Sequence, residues 1–281
     1  MGITTAVADR KGKECRELSR DNSVKTNGKS RKGHRRQKRM LPIQRLYDTC
    51  KEVFAESGTN IIPSPENVER LKVVLDGIKP GDLGLTADMP YFRSSVTQRY
   101  PAITYLHLCE CDKFSMGIFC LPPSGVISLH DHPGMTVFSK LLLGTMHIKS
   151  YDWAVNDPNT SAANSSPTVP PGVRLAKVKV DSNFTAPCNT SILYPSEGGN
   201  MHCFTAVTAC AVLDVLGPPY SDPDGRHCNY YCDYPFSRFS VAGVSVPEEE
   251  RDKYAWLEER EKPTELAVEG AHYEGPMFKE R

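Results

Sequence analysis

The sequence has no apolar stretch near the roughly 20 residues that are needed to cross a bilayer. It also has no apolar segment near its start of the kind that a signal peptide carries. Its ten cysteines form no C-x-x-C pair. These absences predict a soluble intracellular protein without a membrane contact, whose cysteines stay free thiols in a reducing compartment instead of forming a disulfide framework.

Charge is unevenly distributed along the sequence. The formal net charge is zero, but residues 1–40 carry 13 Lys and Arg against 4 Asp and Glu, and the remainder carries 21 against 30. Residues 1–40 contain no aromatic residue, so they bury too little apolar surface to offset chain entropy and are expected to be disordered. The basic cluster at residues 29–39 indicates a nuclear-import signal, with a nucleic-acid tether or a merely solvated tail as alternatives.

Apolar periodicity predicts two helices and then many short strands. Apolar residues recur at helical spacing over residues 42–57, and a second helix is expected to begin with Ser64 as N-cap and Pro65 in its first turn. Both helices should cover one face of a sheet. From residue 102 onward, short β-rich runs separated by turn residues are typical of a β-sandwich or barrel.

The predicted domain organisation has three parts. We expect a tail over residues 1–40, a β domain with its two helices over residues 41–246, and an acidic C-terminal segment over residues 247–281. Within that last segment, residues 247–262 are compatible with a helix, and the chain after Pro263 looks irregular.

Three histidines form the main candidate site. His130 and His132 are separated by one residue in a strand-like run, so their imidazoles should point to the same face and Asp131 to the opposite one. His202, from another strand-like run, can supply a third nitrogen donor. Three imidazoles on one side of a transition metal would leave its other side open for ligands.

The region around the first two histidines resembles a known motif. Gly125, His130, His132 and Gly144 have the spacing of the first cupin motif. Val137 stands where that motif normally has a glutamate ligand.

The region around the third histidine resembles the second cupin motif. It runs from Pro195 to His202, with a stretched Pro–Gly spacing and Ala206 in place of the usual asparagine. The resemblance implies a mainly β cupin double-stranded β-helix, a jelly-roll barrel, with three histidine ligands and no carboxylate. Among cupins, that ligand set marks the thiol dioxygenases.

A narrower resemblance covers roughly residues 40–240. The basic tail, the two helices, residues 129–135 (LHDHPGM) and residues 213–220 (LDVLGPPY) are similar to the plant cysteine oxidases, relatives of animal cysteamine dioxygenase. The resemblance implies Fe(II), O₂ as co-substrate, and oxidation of the N-terminal cysteine of a protein to the sulfinic acid. It further implies ethylene-response transcription factors as substrates, turnover through the N-degron pathway, oxygen sensing in the hypoxia response, and action in the nucleus and cytoplasm.

Elementary chemistry supports a thiol substrate. A third neutral imidazole in place of a carboxylate leaves the site one charge more positive, which suits a substrate that binds as the thiolate. Asp214 lies in an apolar run, so it needs a buried partner; it either pairs structurally or orients a ligand or the substrate ammonium group. Tyr220 follows a rigid Gly-Pro-Pro turn, and it either positions substrate or oxygen or packs as a lid aromatic.

Two alternative functions stay open. The first is oxidation of free cysteine or cysteamine; free cysteine would call for a cation that binds the substrate carboxylate, and only Arg174 and Arg226 lie near the motifs. The second is a non-catalytic nuclear cupin with a nucleic-acid-binding tail. We expect a monomer without direct nucleic-acid contact.

Overall fold

The computed structural model describes residues 40–93, 99–154, 169–239 and 246–280. The tail predicted for residues 1–40 lies, except for Met40, outside the described residues. Residues 40–281 group into one unit, so the boundary that we placed after residue 246 falls inside it. No helix of the described residues is long and apolar enough to span a bilayer.

Two helices precede the strands, as predicted. Helix α1 covers Pro42–Val53 and helix α2 covers Pro65–Asp76. The Ser64 hydroxyl oxygen accepts a hydrogen bond from the backbone N–H of Asn67 at 3.3 Å, and this N-cap fixes the start of α2. Helix α1 ends four residues earlier than expected, because the chain turns at Phe54.

Twelve strands are assigned within the described residues. Their bounds are β1 Ile103–Glu110, β2 Ser115–Leu121, β3 Val126–His130, β4 Thr136–Leu143, β5 Thr145–Trp153, β6 Val173–Thr185, β7 Ser191–Leu193, β8 Met201–Ala206, β9 Cys210–Gly217, β10 Tyr230–Pro235, β11 Tyr254–Arg260 and β12 Val268–Ala271. The mainly β architecture predicted from the sequence is confirmed.

The strands form two sheets. The first has the order β12-β1-β2-β9-β4-β7, and the second closes into a barrel in the order β10-β11-β6-β5-β8-β3. The closing contact is the pairing of Tyr230 on β10 with His130 on β3. A predicted ligand histidine therefore lies at the seam of the barrel.

The two helices cover the outer face of the first sheet. Leu46 of α1 and Leu71 of α2 are fully buried in one cluster with Phe138 of β4. Lys140, two residues further along the same face, is also buried and forms an ion pair with Asp76 at the end of α2, at 3.1 Å. Alternation along β4 thus sends one set of side chains to the helices and the other to the interior.

The C-terminal segment differs from our expectation. In place of a helix over residues 247–262, a short 3-10 turn at Glu248–Lys253 leads into strand β11. The acidic residues favour a helix locally, but the following run contains Tyr254 and Trp256, which are buried in the barrel. The supposedly irregular tail also contains a strand, β12, which pairs in parallel with β1.

Candidate metal centre

Strands β3 and β8 bring the three predicted histidines together. His130 on β3 lies directly opposite His202 on β8. His132 lies two residues beyond the end of β3, so our assumption that both residues of the pair lie on one strand is wrong. The ring centroids are nevertheless 4.9 Å (130–132), 4.6 Å (130–202) and 5.0 Å (132–202) apart.

The three side chains form a possible ligand set. All three are buried, and one potential ligand atom from each lies within 4.8 Å of the other two. Within the described part of the chain, no other group of three or more His, Cys, Asp or Glu meets this criterion. Val137, where a glutamate would lie in the cupin motif, is fully buried in an apolar cluster with Met135 and Leu193.

Hydrogen bonds orient two of the imidazoles. Nδ1 of His130 lies 2.8 Å from the carbonyl oxygen of Ser128, to which its N–H can donate. The Tyr220 hydroxyl donates to the carbonyl of Asp131 at 2.7 Å and lies 2.8 Å from Nδ1 of His132, from which it can accept. With Nδ1 used as a donor, Nε2 of each ring keeps its lone pair for a metal.

Burial keeps the imidazoles neutral. Loss of hydration lowers the pKa of His130, and it lowers the pKa of His132 and His202 well below the usual value. Neighbouring imidazoles lower the pKa of the last two further. Nδ1 of His202 is buried and has no hydrogen-bond partner among the residues that the structure describes. Three neutral nitrogen donors in this arrangement fit a divalent transition metal.

Asn200 connects the two ligand-bearing segments, and our sequence analysis did not identify it. Its Oδ1 accepts the backbone N–H of His132 at 2.9 Å, and its Nδ2 donates to the His132 carbonyl at 2.9 Å and to the Tyr194 carbonyl at 2.8 Å. The side chain is buried. Its place two residues before His202 was the only signal in the sequence.

Asp152 holds the turn that leads into β8. Its carboxylate accepts backbone N–H groups of Gly198 at 3.1 Å, Gly199 at 2.7 Å and Asn200 at 3.3 Å. Both glycines have positive φ angles, 88° and 83°, which favour glycine at these positions. This turn accounts for the stretched spacing of the second motif.

Asp131 directs its carboxylate to the start of β10 instead of to the three imidazoles, as predicted, although it lies just beyond the end of β3. Its Oδ1 accepts the backbone N–H of Asn229 at 2.9 Å, and its Oδ2 accepts the Tyr231 hydroxyl at 2.8 Å. The carboxylate therefore attaches the start of β10 to the segment between the first two histidines.

A cavity of about 270 Å³ opens beside the three imidazoles. Its walls are mostly aromatic and aliphatic, and their polar groups are the three imidazoles, the thiol of one cysteine, the hydroxyls of three tyrosines and one carboxyl group. The lining residues are Tyr105, Gly117, Phe119, Ile127, His130, His132, His202, Phe204, Asp214, Leu216, Tyr220, Cys228, Tyr230, Leu266 and Val268.

The two other predicted site residues both line this cavity. Asp214 on β9 is buried and accepts a hydrogen bond from the Ser139 hydroxyl at 2.6 Å. Burial raises the pKa of this carboxyl group from 3.8 to about 7, against the lowering effect of Ser139. The Tyr220 hydroxyl, by contrast, forms hydrogen bonds with the His132 ring and the Asp131 carbonyl, so Tyr220 orients a candidate metal ligand.

Comparison with known proteins identifies the family. The family model PCO_ADO matches residues 74–278. Plant cysteine oxidase 2 of Arabidopsis thaliana is 58% identical over 285 residues, covering 100% of both chains. The chain belongs to the PCO_ADO family of thiol dioxygenases. The resemblance inferred from the sequence motifs is thereby confirmed.

A more distant relative agrees with this assignment. The mouse protein 2-aminoethanethiol dioxygenase is 32% identical over 225 residues, covering 75% of this chain and 85% of the relative. Among solved structures, an RmlC-like cupin from Desulfovibrio desulfuricans is matched with a TM-score of 0.28, 15% identity, and coverage of 47% of this chain and 98% of the other. The closed β-barrel with N-terminal helices that the sequence predicts is confirmed by the strand topology of this thiol dioxygenase.

Replacing Asn200 should weaken metal binding by this thiol dioxygenase. Asn200→Ala removes the hydrogen bonds that hold His132 beside the His202 segment, and loss of such outer contacts typically lowers metal affinity by about 10–100-fold. Anaerobic titration of the metal-free protein with Fe²⁺ measures this change. Asn183→Ala, at an exposed position of β6, is the matched control. An Fe²⁺ affinity of Asn200→Ala within twofold of wild type would show that the hydrogen bonds between Asn200 and His132 are not needed for metal binding.

Asp214 should make the stability of the metal-free protein depend on pH. Because its pKa is raised in the fold, the penalty for burying its charge is absent below pH 3.8 and complete above about pH 7. The unfolding free energy of Asp214→Asn, relative to wild type, should therefore rise by roughly 2–3 kcal/mol from pH 5 to pH 8. Urea unfolding measures the difference, and the exposed Asp112→Asn variant should show none. A pH-independent difference would argue against a raised pKa.

Proposed function

We propose that this thiol dioxygenase binds Fe²⁺ through His130, His132 and His202 and oxidises N-terminal cysteines of proteins to cysteine sulfinic acid with O₂. The observation that carries the proposal is the cavity beside the three neutral imidazoles. Among its described lining residues, Asp214 is the one carboxyl group, and there is no Lys or Arg.

The ligand set supports ferrous iron and a thiolate. Imidazole nitrogen suits iron among several divalent metals, and without a protein carboxylate the bound ion keeps its full positive charge for an anionic ligand. When bound, the ion would supply the activation of O₂ and would lower the pKa of the substrate thiol. Val137 contributes no charge at the position of the missing carboxylate.

The chain's own residues would hold and orient the reactants. Tyr220 and Asn200 fix His132, through its ring and its backbone respectively. Asp214 offers a negative charge to the substrate ammonium group. The apolar walls, including Ile127 and Phe204, exclude water and the side reactions that it would allow. One O₂ supplies both oxygen atoms to one thiolate sulfur, which gives the sulfinic acid, the second step of thiol oxidation.

Free cysteine fits the cavity less well than a peptide. Its carboxylate would need a cation, but neither candidate arginine lines the cavity. Arg174 lies over the ring of Trp153, 3.9 Å from its centroid. Arg226 donates to the Pro219 carbonyl, the Thr59 hydroxyl and the Asp224 carboxylate.

A second candidate substrate is 2-aminoethanethiol. The mouse relative carries this compound in its name. The compound has an amine and a thiol but no carboxylate, so a cavity without a cation can also accept this compound.

The biological role that we propose follows from the resemblance to plant cysteine oxidases. The protein substrates would be ethylene-response transcription factors, whose oxidised N-termini lead to turnover through the N-degron pathway, so that the enzyme acts as an oxygen sensor in the hypoxia response. The basic cluster at residues 29–39 supports entry into the nucleus, with a further population in the cytoplasm. We expect a monomeric enzyme.

A competition assay tests the proposed reaction. The iron-loaded protein is exposed to air with a Cys-initiated peptide, free cysteine and 2-aminoethanethiol, and products are identified by mass spectrometry. We expect a gain of two oxygen atoms on sulfur, with a higher kcat/KM for the peptide, and no product with His202→Ala. Preference for a small thiol would overturn the peptide assignment. Absence of any product from fully loaded wild type would favour a non-catalytic cupin.

A further inference from the structure

Tyr105 extends into the metal cavity from the first sheet, although it belongs to no recognised motif. It lies on β1 directly opposite Phe119 on β2, and the two rings are 4.9 Å apart. Both side chains line the cavity. Tyr105 therefore belongs to the wall that faces the three imidazoles across the interior.

Gly117 is the position over which the Tyr105 ring lies. It is two residues before Phe119 on β2, so the two residues share a face. A Cβ atom built on Gly117 would overlap the outer end of the Tyr105 side chain, namely Cε2, Cζ and the hydroxyl oxygen. Since the partner of Gly117 on β9 is Asp214, the absence of a side chain lets Tyr105 extend toward that carboxyl group.

The two groups at this place have spare hydrogen-bonding capacity. In the described part of the structure, the Ser139 hydroxyl is the one hydrogen-bond partner of the Asp214 carboxyl group, and the Tyr105 hydroxyl has none. Burial, with a smaller contribution from the Asp214 charge, raises the pKa of Tyr105 to about 12. Tyr105 therefore stays a neutral hydroxyl whose oxygen lone pairs can accept a hydrogen bond.

We propose that Tyr105 is a substrate-binding residue that forms, together with Asp214, the subsite for the ammonium group of the substrate, with Gly117 providing the space for its ring. A carboxylate and a hydroxyl oxygen can accept two of the three N–H donors of a primary ammonium group. The subsite would select thiols with an unblocked amine. The assignment rests on the proposed function, because it assumes an aminothiol in this cavity.

A pair of peptides separates binding of the amine from binding of the thiol. One peptide begins with cysteine, and the matched peptide begins with a 3-mercaptopropionyl group, which keeps the thiol and lacks the amine. Their affinities for the iron-loaded protein are measured by calorimetry without oxygen, so that the result does not depend on turnover. Oxidation after air exposure is followed separately by mass spectrometry.

Tyr105→Phe should weaken binding of the Cys peptide about 10–100-fold, the usual effect of losing a hydrogen bond to a charged group. Its affinity for the mercaptopropionyl peptide should stay within twofold of wild type. Gly117→Ala should cause the same selective loss, because the added methyl group displaces the Tyr105 ring. Tyr234→Phe, whose hydroxyl contacts Glu258 outside the cavity, is the matched control and should change neither affinity.

Each remaining outcome refutes one specific statement. Equal losses for both peptides with Tyr105→Phe, or no loss for either, would overturn the ammonium subsite, as would a wild type that does not prefer the Cys peptide. Wild type that binds the Cys peptide selectively but never oxidises it would refute the proposed function and leave the subsite supported. Iron content and thermal unfolding of Tyr105→Phe, expected to match wild type, exclude a folding defect.

Discussion

The pairing of His130 with His202 across strands β3 and β8 is the constraint on which the candidate site depends. It fixes two imidazoles through backbone hydrogen bonds of the barrel, at the seam where β10 also joins β3. The third, His132, lies beyond the strand, and side chains must hold it: Asn200 binds its backbone and Tyr220 its ring. The metal site thus depends on the register of β3 and β8, which sets His130 opposite His202.

The interior of the barrel has an uneven distribution of charge. Burial keeps the three imidazoles neutral, and Val137 supplies no carboxylate beside them. The carboxyl group of the cavity, Asp214, lies on the first sheet with a pKa raised to about 7. A bound divalent ion and Asp214 would therefore bear opposite charges in one apolar cavity. That arrangement is complementary to a molecule that carries a thiolate and an ammonium group.

Much of this could be predicted from local sequence pattern. Short β-rich runs between turn residues predicted the strands, the N-cap Ser64 predicted the start of helix α2, and motif spacing predicted the three histidines. Asp214 was proposed from its place in an apolar run and Tyr220 from the Gly-Pro-Pro turn before it. Features that depend on distant partners were missed. The acidic residues before β11 favour a helix, and the strand becomes evident only from the burial of Tyr254 and Trp256 in the folded protein. Asn200 acts on a residue 68 positions away, and the Tyr105 ring lies over Gly117, whose partner on β9 is Asp214.

The coordination of iron in the loaded wild-type protein tests the account most directly. X-ray absorption spectroscopy of the anaerobic Fe²⁺ form should show the multiple-scattering signature of about three imidazoles, with the remaining positions filled by light solvent atoms. Mutation of any one of the three histidines should reduce the imidazole number by about one. A spectrum with two imidazoles, unchanged by replacing His202, would contradict the convergence of three neutral donors on one ion.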